Sequence, residues 1–383
     1  MSQDKKYEEK KTSLTAAAAE LVQDMDFSIH GHDGSDHNEF GKHRCIPSFS
    51  AKEFELGRVL GRGSFSIVYE VTSIDLIESL TYFSDRENLV RTSMKEKCQR
   101  RNGDVDNSRY AVKVLNPDLP EEQRNLGRED LANEAFFLRD ISHSNIIKMR
   151  AISTSSSKSL KFFIVLDRLY GTLEQKIYKW KSKSVGIKSI FTSKKGKNKH
   201  LAERLTVAFD IVCALQYLHE NNIVYRDLKP DNIGFDVRGD IKLFDFGLAK
   251  TLEAKDLVDD TTYKLTGNTG SLLYMAPEVF HNKPYNTKVD IYSFGILYWQ
   301  ICAMESPFPN FTCKMIEDLV LKEGYRPSVM DGWSWGDVMK SCWANDISVR
   351  PSAEDLLKSI GELLVEVSGA SNFKDRTRSS LGS

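Results

Sequence analysis

The stretch YRDLKPDN at residues 225–232, followed by FDFG at 244–247, constrains this chain more than any other feature. It sets two carboxylates, Asp227 and Asp245, 18 residues apart, with Lys229 and Asn232 between them. One carboxylate can orient an attacking hydroxyl, and the lysine can neutralise developing negative charge. The other carboxylate, with the amide, can hold magnesium on phosphate oxygens; together these are the parts that phosphoryl transfer needs. Either half could stand in an ordinary turn-rich loop whose Asp and Asn side chains cap neighbouring backbone. Both halves at this spacing, followed by APE at 276–278, leave that reading little room.

Upstream, FELGRVLGRGSFSIVYEV alternates apolar and polar residues around Gly61 and Gly63, the pattern of a β-hairpin with a glycine-rich tip. RYAVKVL at 109–115 reads as a third strand, LANEAFFLRDISHSNIIKM at 131–149 as helix, turn and strand, and KFFIVLDRL at 161–169 as a buried strand. Leu131, Ala135, Leu138 and Ile141 share one helical face. Further on, LAERLTVAFDIVCALQYLHENN has helical spacing, and VDIYSFGILYWQICAM at 289–304 is apolar nearly all round, which predicts a buried central helix.

In this order the motifs resemble those of the eukaryotic protein kinases, from about Phe54 to about Val365. The resemblance implies an α+β, bilobal fold: a small N-lobe of antiparallel sheet plus the helix of Glu134, and a larger, mostly helical C-lobe. It sets a kinase domain at 54–366, with N-lobe 54–167, C-lobe 170–366 and an insertion at about 73–108 where the family usually has a short turn. In that insertion the spacing of Ile77, Leu80 and Phe83 predicts one amphipathic helix, followed by a charged, mobile stretch. Residues 1–50 and 367–383 read as disordered tails.

The resemblance also assigns roles. Asp227 orients the substrate hydroxyl and Lys229 neutralises the transferred phosphoryl group; Asn232 and Asp245 hold magnesium. Lys113 takes the ATP phosphates; set among Ala111, Val112, Val114 and Leu115, its ammonium needs a carboxylate partner. Glu134 fits that partner, whereas Glu129 lies off its register. Nucleotide contacts fall to Leu60, Gly61, Gly63, Ser66 (where a third glycine is commoner), Val68, Ala111, Leu166 as gatekeeper, and Asp167 and Leu169 through their backbones. Gly234 stands where a leucine commonly floors the adenine pocket, so extra room beneath the purine is expected there. Tyr225 replaces a histidine that struts Phe246. Glu278 is expected to pair with Arg350, and Asp290 to brace the backbone near Asp227.

Lys229 resembles serine/threonine kinases, and SCWANDISVRPS at 341–352 resembles the tyrosine-kinase-like group. The expected reaction is transfer of the γ-phosphoryl of Mg-ATP to Ser/Thr hydroxyls of a protein substrate. Arg226 can receive an activation-segment phosphate placed by an upstream kinase, with Thr262 or Thr266 as acceptor. Ser271 is expected against Asp227 and Lys229. The rival is a pseudokinase scaffold, but Lys113, Asp227 and Asp245 are all present.

A net charge of −1 gives no global drive toward nucleic acid or membrane, and no apolar run is long enough to span a bilayer. Six cysteines without CxxC spacing predict free thiols, four of them buried, in a reducing compartment, cytoplasmic or nuclear. His30, His32, His37 and His43 lack the spacing of a zinc site. Eight lysines and no acid between 179 and 199 predict a solvated loop between two helices. Oligomeric state is not legible.

Overall fold

The computed structural model describes residues 45–77, 83–98, 108–185, 194–330 and 333–368, the side chains of 185 and 194–199 excepted. These form two compact units, one up to residue 142 plus 147–168, the other 143–146 plus residues from 169 onward.

The first unit is built on six strands: β1 (Ser48–Phe49), β2 (Phe54–Arg62), β3 (Ser66–Ile74), β4 (Tyr110–Leu115), β5 (Met149–Ser153) and β6 (Phe163–Asp167). Their order is β1-β5-β6-β4-β3-β2. All neighbours are antiparallel except β1, which lies parallel to β5. β1 corrects the expectation of a tail running to residue 50. Phe49 is fully buried in the sheet's apolar cluster, and Thr154 donates its N–H to the Phe49 carbonyl. The polar composition of 1–50 masked this one aromatic anchor.

Among the described residues two α-helices complete the unit. The first, α1 (Asp85–Cys98), falls in the stretch expected to be mobile; Ile77 and Phe83 lie outside it, and Leu80 lies outside the described residues. Ser84 Oγ accepts from the Glu87 N–H at 3.2 Å, and the helix carries acids in its first turn and lysines in its last, both favourable to the helix dipole. Its buried face is Arg91, Met94 and Cys98. The Arg91 guanidinium donates to Glu53 at 2.5 Å and to the Ser48 carbonyl, and lies 4.5 Å over Phe49 and 3.9 Å over Phe83. An apolar stripe alone could not reveal this helix, because an arginine leads its buried face. The second, α2 (Glu121–Asp140), begins ten residues earlier than expected and stops before Ile141, which is buried but extended.

In the second unit, α3 (Leu173–Val185) and α4 (Lys194–Glu220) extend into the lysine-rich segment, leaving 186–193 outside the described residues. That stretch is therefore not simply a loop. Two short antiparallel pairs follow, β7 (Ile223–Val224) with β10 (Lys250–Thr251), and between them the hairpin of β8 (Ile233–Phe235) with β9 (Ile241–Leu243). The central helix α5 (Lys288–Ala303) buries 13 of its 16 residues, as its all-round apolarity predicts. After α6 (Gly336–Cys342), α7 (Ala353–Ser368) packs on α4 and takes in Val367 and Ser368, which the sequence placed in the tail. The cysteines are free; Cys98, Cys302 and Cys342 are buried, Cys45 and Cys213 half-buried and Cys313 exposed. Among the described residues no helix is long and apolar enough to cross a membrane. The histidine-rich patch lies outside the described residues.

Candidate active site

In the first unit the pairing of β3 with β4 sets Val68 opposite Lys113, and that of β4 with β6 sets Ala111 opposite Leu166. Lys113 points from a strand of apolar neighbours and is ion-paired with Glu134 of α2; the two side chains are only 7% and 1% exposed. Burial of this depth requires the pairing, since an isolated ammonium in that setting would carry a large desolvation cost. Glu129 makes no such pair, and burial raises its carboxyl above the usual range.

The glycine turn closes on itself through the Gly63 N–H and the Ser66 carbonyl at 2.8 Å. A Cβ at Gly61 would meet nothing within 4 Å. Leu60 is half-buried in β2, and Ser66 is buried. Asp167 is tied by a bidentate pair to Arg150 at 2.7 and 2.8 Å, and its N–H donates to the Lys148 carbonyl.

In the second unit, Asp227 is the convergence point. Its Oδ1 accepts from the Ser271 N–H at 2.9 Å and the Ser271 hydroxyl at 2.7 Å. Its Oδ2 accepts from Lys229 Nζ at 2.7 Å and Asn232 Nδ2 at 2.8 Å. Lys229 also donates to Ser271 Oγ at 2.9 Å, so hydroxyl, carboxylate and ammonium form one cluster. The loop's backbone is held from α5: Asp290 accepts from the N–H groups of Tyr225 and Arg226 at 2.9 and 2.8 Å, and bonds His219 at 2.9 Å.

Arg226 and Asp245 both have positive φ, 70° and 65°. Such backbone costs about 1–3 kcal/mol and persists where surroundings over-determine it. Here Asp290 holds Arg226, while the Phe244 N–H donates to the Asn232 carbonyl at 3.0 Å just before Asp245. Tyr225 donates its hydroxyl to the Phe244 carbonyl, and its ring stands edge-on to Phe246 at 5.1 Å between centroids. The strut expected of Tyr225 is therefore made with both ring and hydroxyl.

The donor set suits magnesium. Asn232 spends its Nδ2 on the Asp227 carbonyl and carboxylate, leaving Oδ1 as its cation-facing atom, and a nearby aspartate such as Asp245 adds a hard oxygen. Two protein ligands are few, but magnesium commonly completes its shell from substrate phosphates and water. Among the described residues no cluster of three His, Cys, Asp or Glu could hold a metal without such help.

The segment after Asp245 is anchored at both ends. Glu278 and Arg350 form a bidentate pair at 2.6 and 3.0 Å, with Arg350 1% exposed. Gly270 has φ +95°, and a Cβ there would come within 2.2 Å of the Arg226 carbonyl oxygen. That glycine lets Ser271 reach Asp227. Arg226 donates to Thr266 Oγ1 at 2.8 Å and to the Leu248 carbonyl at 2.6 Å. Thr262 instead donates to Asp259 at 2.5 Å, whose carboxyl the Thr262 and Thr261 bonds hold down at about 2.

One expectation fails. The room expected beside Gly234 is filled: a Cβ there would sit 2.5 Å from Leu169 Cδ1. Nothing in the composition of either segment announces that packing.

The protein kinase domain model matches residues 97–360, and the chain belongs to that family. The chain is 28% identical over 274 residues to the serine/threonine-protein kinase STY46 of Arabidopsis thaliana, covering 71% of this chain and 43% of that protein. It is 36% identical over 167 residues to the serine/threonine-protein kinase VIK of the same plant, 41% of this chain and 36% of VIK. It is 27% identical over 326 residues to the dual specificity protein kinase shkA of Dictyostelium discoideum, 84% of this chain and 51% of shkA. The chain thus spans about half the length of these relatives or less.

Proposed function

We propose that this chain transfers the γ-phosphoryl group of Mg-ATP to serine or threonine hydroxyls of protein substrates. The observation that carries the reading is the cluster at Asp227. One carboxylate oxygen already accepts a hydroxyl hydrogen bond, from Ser271, and a lysine lies within hydrogen-bond reach of both. A substrate hydroxyl offered to Asp227 in the same manner would be oriented for attack, and Lys229 would balance charge on the moving phosphoryl group. In the first unit, Lys113 is held by Glu134 to meet ATP phosphates, with Leu60, Gly61, Gly63, Ser66, Val68, Ala111 and Leu166 as nucleotide contacts. Magnesium held by Asn232 and Asp245 would supply charge neutralisation on the phosphates. Acceleration then comes from positioning and electrostatics.

Activity is switched by phosphate on the segment between Asp245 and Glu278. Thr266 is the better acceptor, because Arg226 already reaches its hydroxyl, whereas Thr262 sits against the Asp259 carboxylate. Ser/Thr specificity is tested by phosphoamino-acid analysis after transfer of labelled phosphate to the protein itself and to a generic basic protein. Phosphoserine and phosphothreonine are expected; phosphotyrosine as the main product would contradict the specificity.

A further inference from the structure

Gly234 lies in β8, and its φ is outside the left-handed region, so its backbone does not require glycine. Space does. A Cβ built there would lie 2.5 Å from Leu169 Cδ1 and 3.2 Å from both Leu169 Cβ and Cγ. Three backbone contacts fix that approach: the Tyr170 N–H donates to the Phe235 carbonyl at 2.8 Å, the Phe235 N–H to the Gly171 carbonyl at 3.0 Å, and Thr172 bridges Gly234. Residues 170–172 thus run as an extra antiparallel piece along β8, which lays the Leu169 side chain over the glycine.

We infer that Leu169 and Gly234 are an exchanged pair, in which the Leu169 side chain supplies from the connecting segment the apolar surface for adenine that a side chain at 234 would otherwise give. This rests on the ATP reading above. Two consequences separate it from a packing accident. Leu169 is half-buried rather than fully enclosed, so part of its apolar surface remains open to a ligand. Gly234 itself is buried, so the pair presents Leu169 and not the β8 backbone. Leu169 therefore acts on the purine with its side chain as well as with its backbone, and its size rather than that of residue 234 sets the fit.

The test is a double-mutant cycle on the full chain: Leu169→Ala, Gly234→Leu, and both together, with Gly234→Ala as the milder probe should Gly234→Leu fail to fold. ATP Kd is measured directly, and KM and kcat with Mg-ATP. Leu169→Ala is expected to raise ATP Kd and KM about 5- to 30-fold with kcat little changed, the pattern of lost uniform binding of a few apolar carbons. Gly234→Leu, and more weakly Gly234→Ala, are expected to weaken ATP binding by crowding Leu169. The double variant is expected to bind ATP within about threefold of the parent, because volume is exchanged rather than lost. Independent effects that multiply in the double variant, or an unchanged Kd in Leu169→Ala, overturn the exchange while leaving the kinase reading standing. Failure of the folded parent to bind Mg-ATP overturns both.

Discussion

The Ser271 hydroxyl donates to Asp227 Oδ1 at 2.7 Å, and the ammonium of Lys229 closes a triangle with the same hydroxyl at 2.9 Å. This contact joins the segment between Asp245 and Glu278 to the carboxylate that would orient a substrate hydroxyl. Hydrogen bonds to charged groups contribute about 1.5–3 kcal/mol, so Ser271→Ala should lower kcat by roughly 10- to 100-fold. ATP KM should stay near the parent value, and Ser271→Thr, which keeps the hydroxyl, should restore most of the rate. Steady-state kinetics of the two variants decide it; equal loss in both would show that the hydroxyl is not what matters.

Arg226 reaches Thr266 and not Thr262. Phosphate at Thr266 would turn a bond between a charged donor and a neutral hydroxyl into an arginine–phosphate ion pair, with the guanidinium already aimed at it. Thr266→Ala is expected to cut activity about tenfold or more, and mass spectrometry of active protein should find phosphate at Thr266. Thr262→Ala should change activity less than twofold. The reverse ranking would move the regulatory site.

The Arg91–Glu53 pair is buried on both sides, with side chains 3% and 0% exposed. Glu53 also accepts from the N–H groups of Ser50 and Ile77 at 2.8 and 3.0 Å, so it ties β1, β2 and the start of the insertion together. Removing one partner of such a pair strands the other charge and costs about 3–5 kcal/mol. Arg91→Ala should therefore lower the denaturation midpoint markedly, and Glu53→Gln in the same chain should recover part of the loss. A shift below about 1 kcal/mol would mean that α1 is not part of the stable unit.

His143 gives a pH dependence. Burial, with Lys242 nearby, lowers its pKa from 6.5 to about 4, and its Nδ1 accepts the Asn145 N–H at 3.1 Å. The unfolded chain thus binds a proton here from about pH 6.5 downward, while the folded chain binds it only near pH 4. This contribution to stability is complete above pH 6.5 and is lost progressively as pH falls toward 4. His143→Gln should melt with a shallower pH slope than the parent across that window, and identical slopes would contradict the assignment.

The parts legible in the sequence share a property: each is a local string whose chemistry needs its own neighbours. YRDLKPDN carries Asp227, Lys229 and Asn232 within six residues, and in the structure both Lys229 and Asn232 donate to Asp227 Oδ2. Lys113 needed a buried partner, and the helical register selected Glu134 over Glu129. The misreadings share the opposite property. The α1 helix hides its docking face behind Arg91, whose partner Glu53 is 38 residues away and reads as an ordinary surface acid. Phe49 is one apolar residue in a polar stretch. Leu169 and Gly234 are 65 residues apart, and only the pairing of 170–172 with β8 shows that one side chain fills the other's place.

The most direct test of the account is transfer of labelled γ-phosphate from Mg-ATP by the purified chain, beside Asp227→Asn and Asp245→Ala. The parent should label serine and threonine in itself and in a basic protein. Asp227→Asn should still bind ATP yet transfer at least about a hundredfold more slowly, the order of loss for a removed general base. Asp245→Ala should lose magnesium-dependent transfer altogether. A parent that binds Mg-ATP but transfers nothing, even with acid substituted at Thr266, would contradict the enzyme and leave a kinase-shaped binding protein.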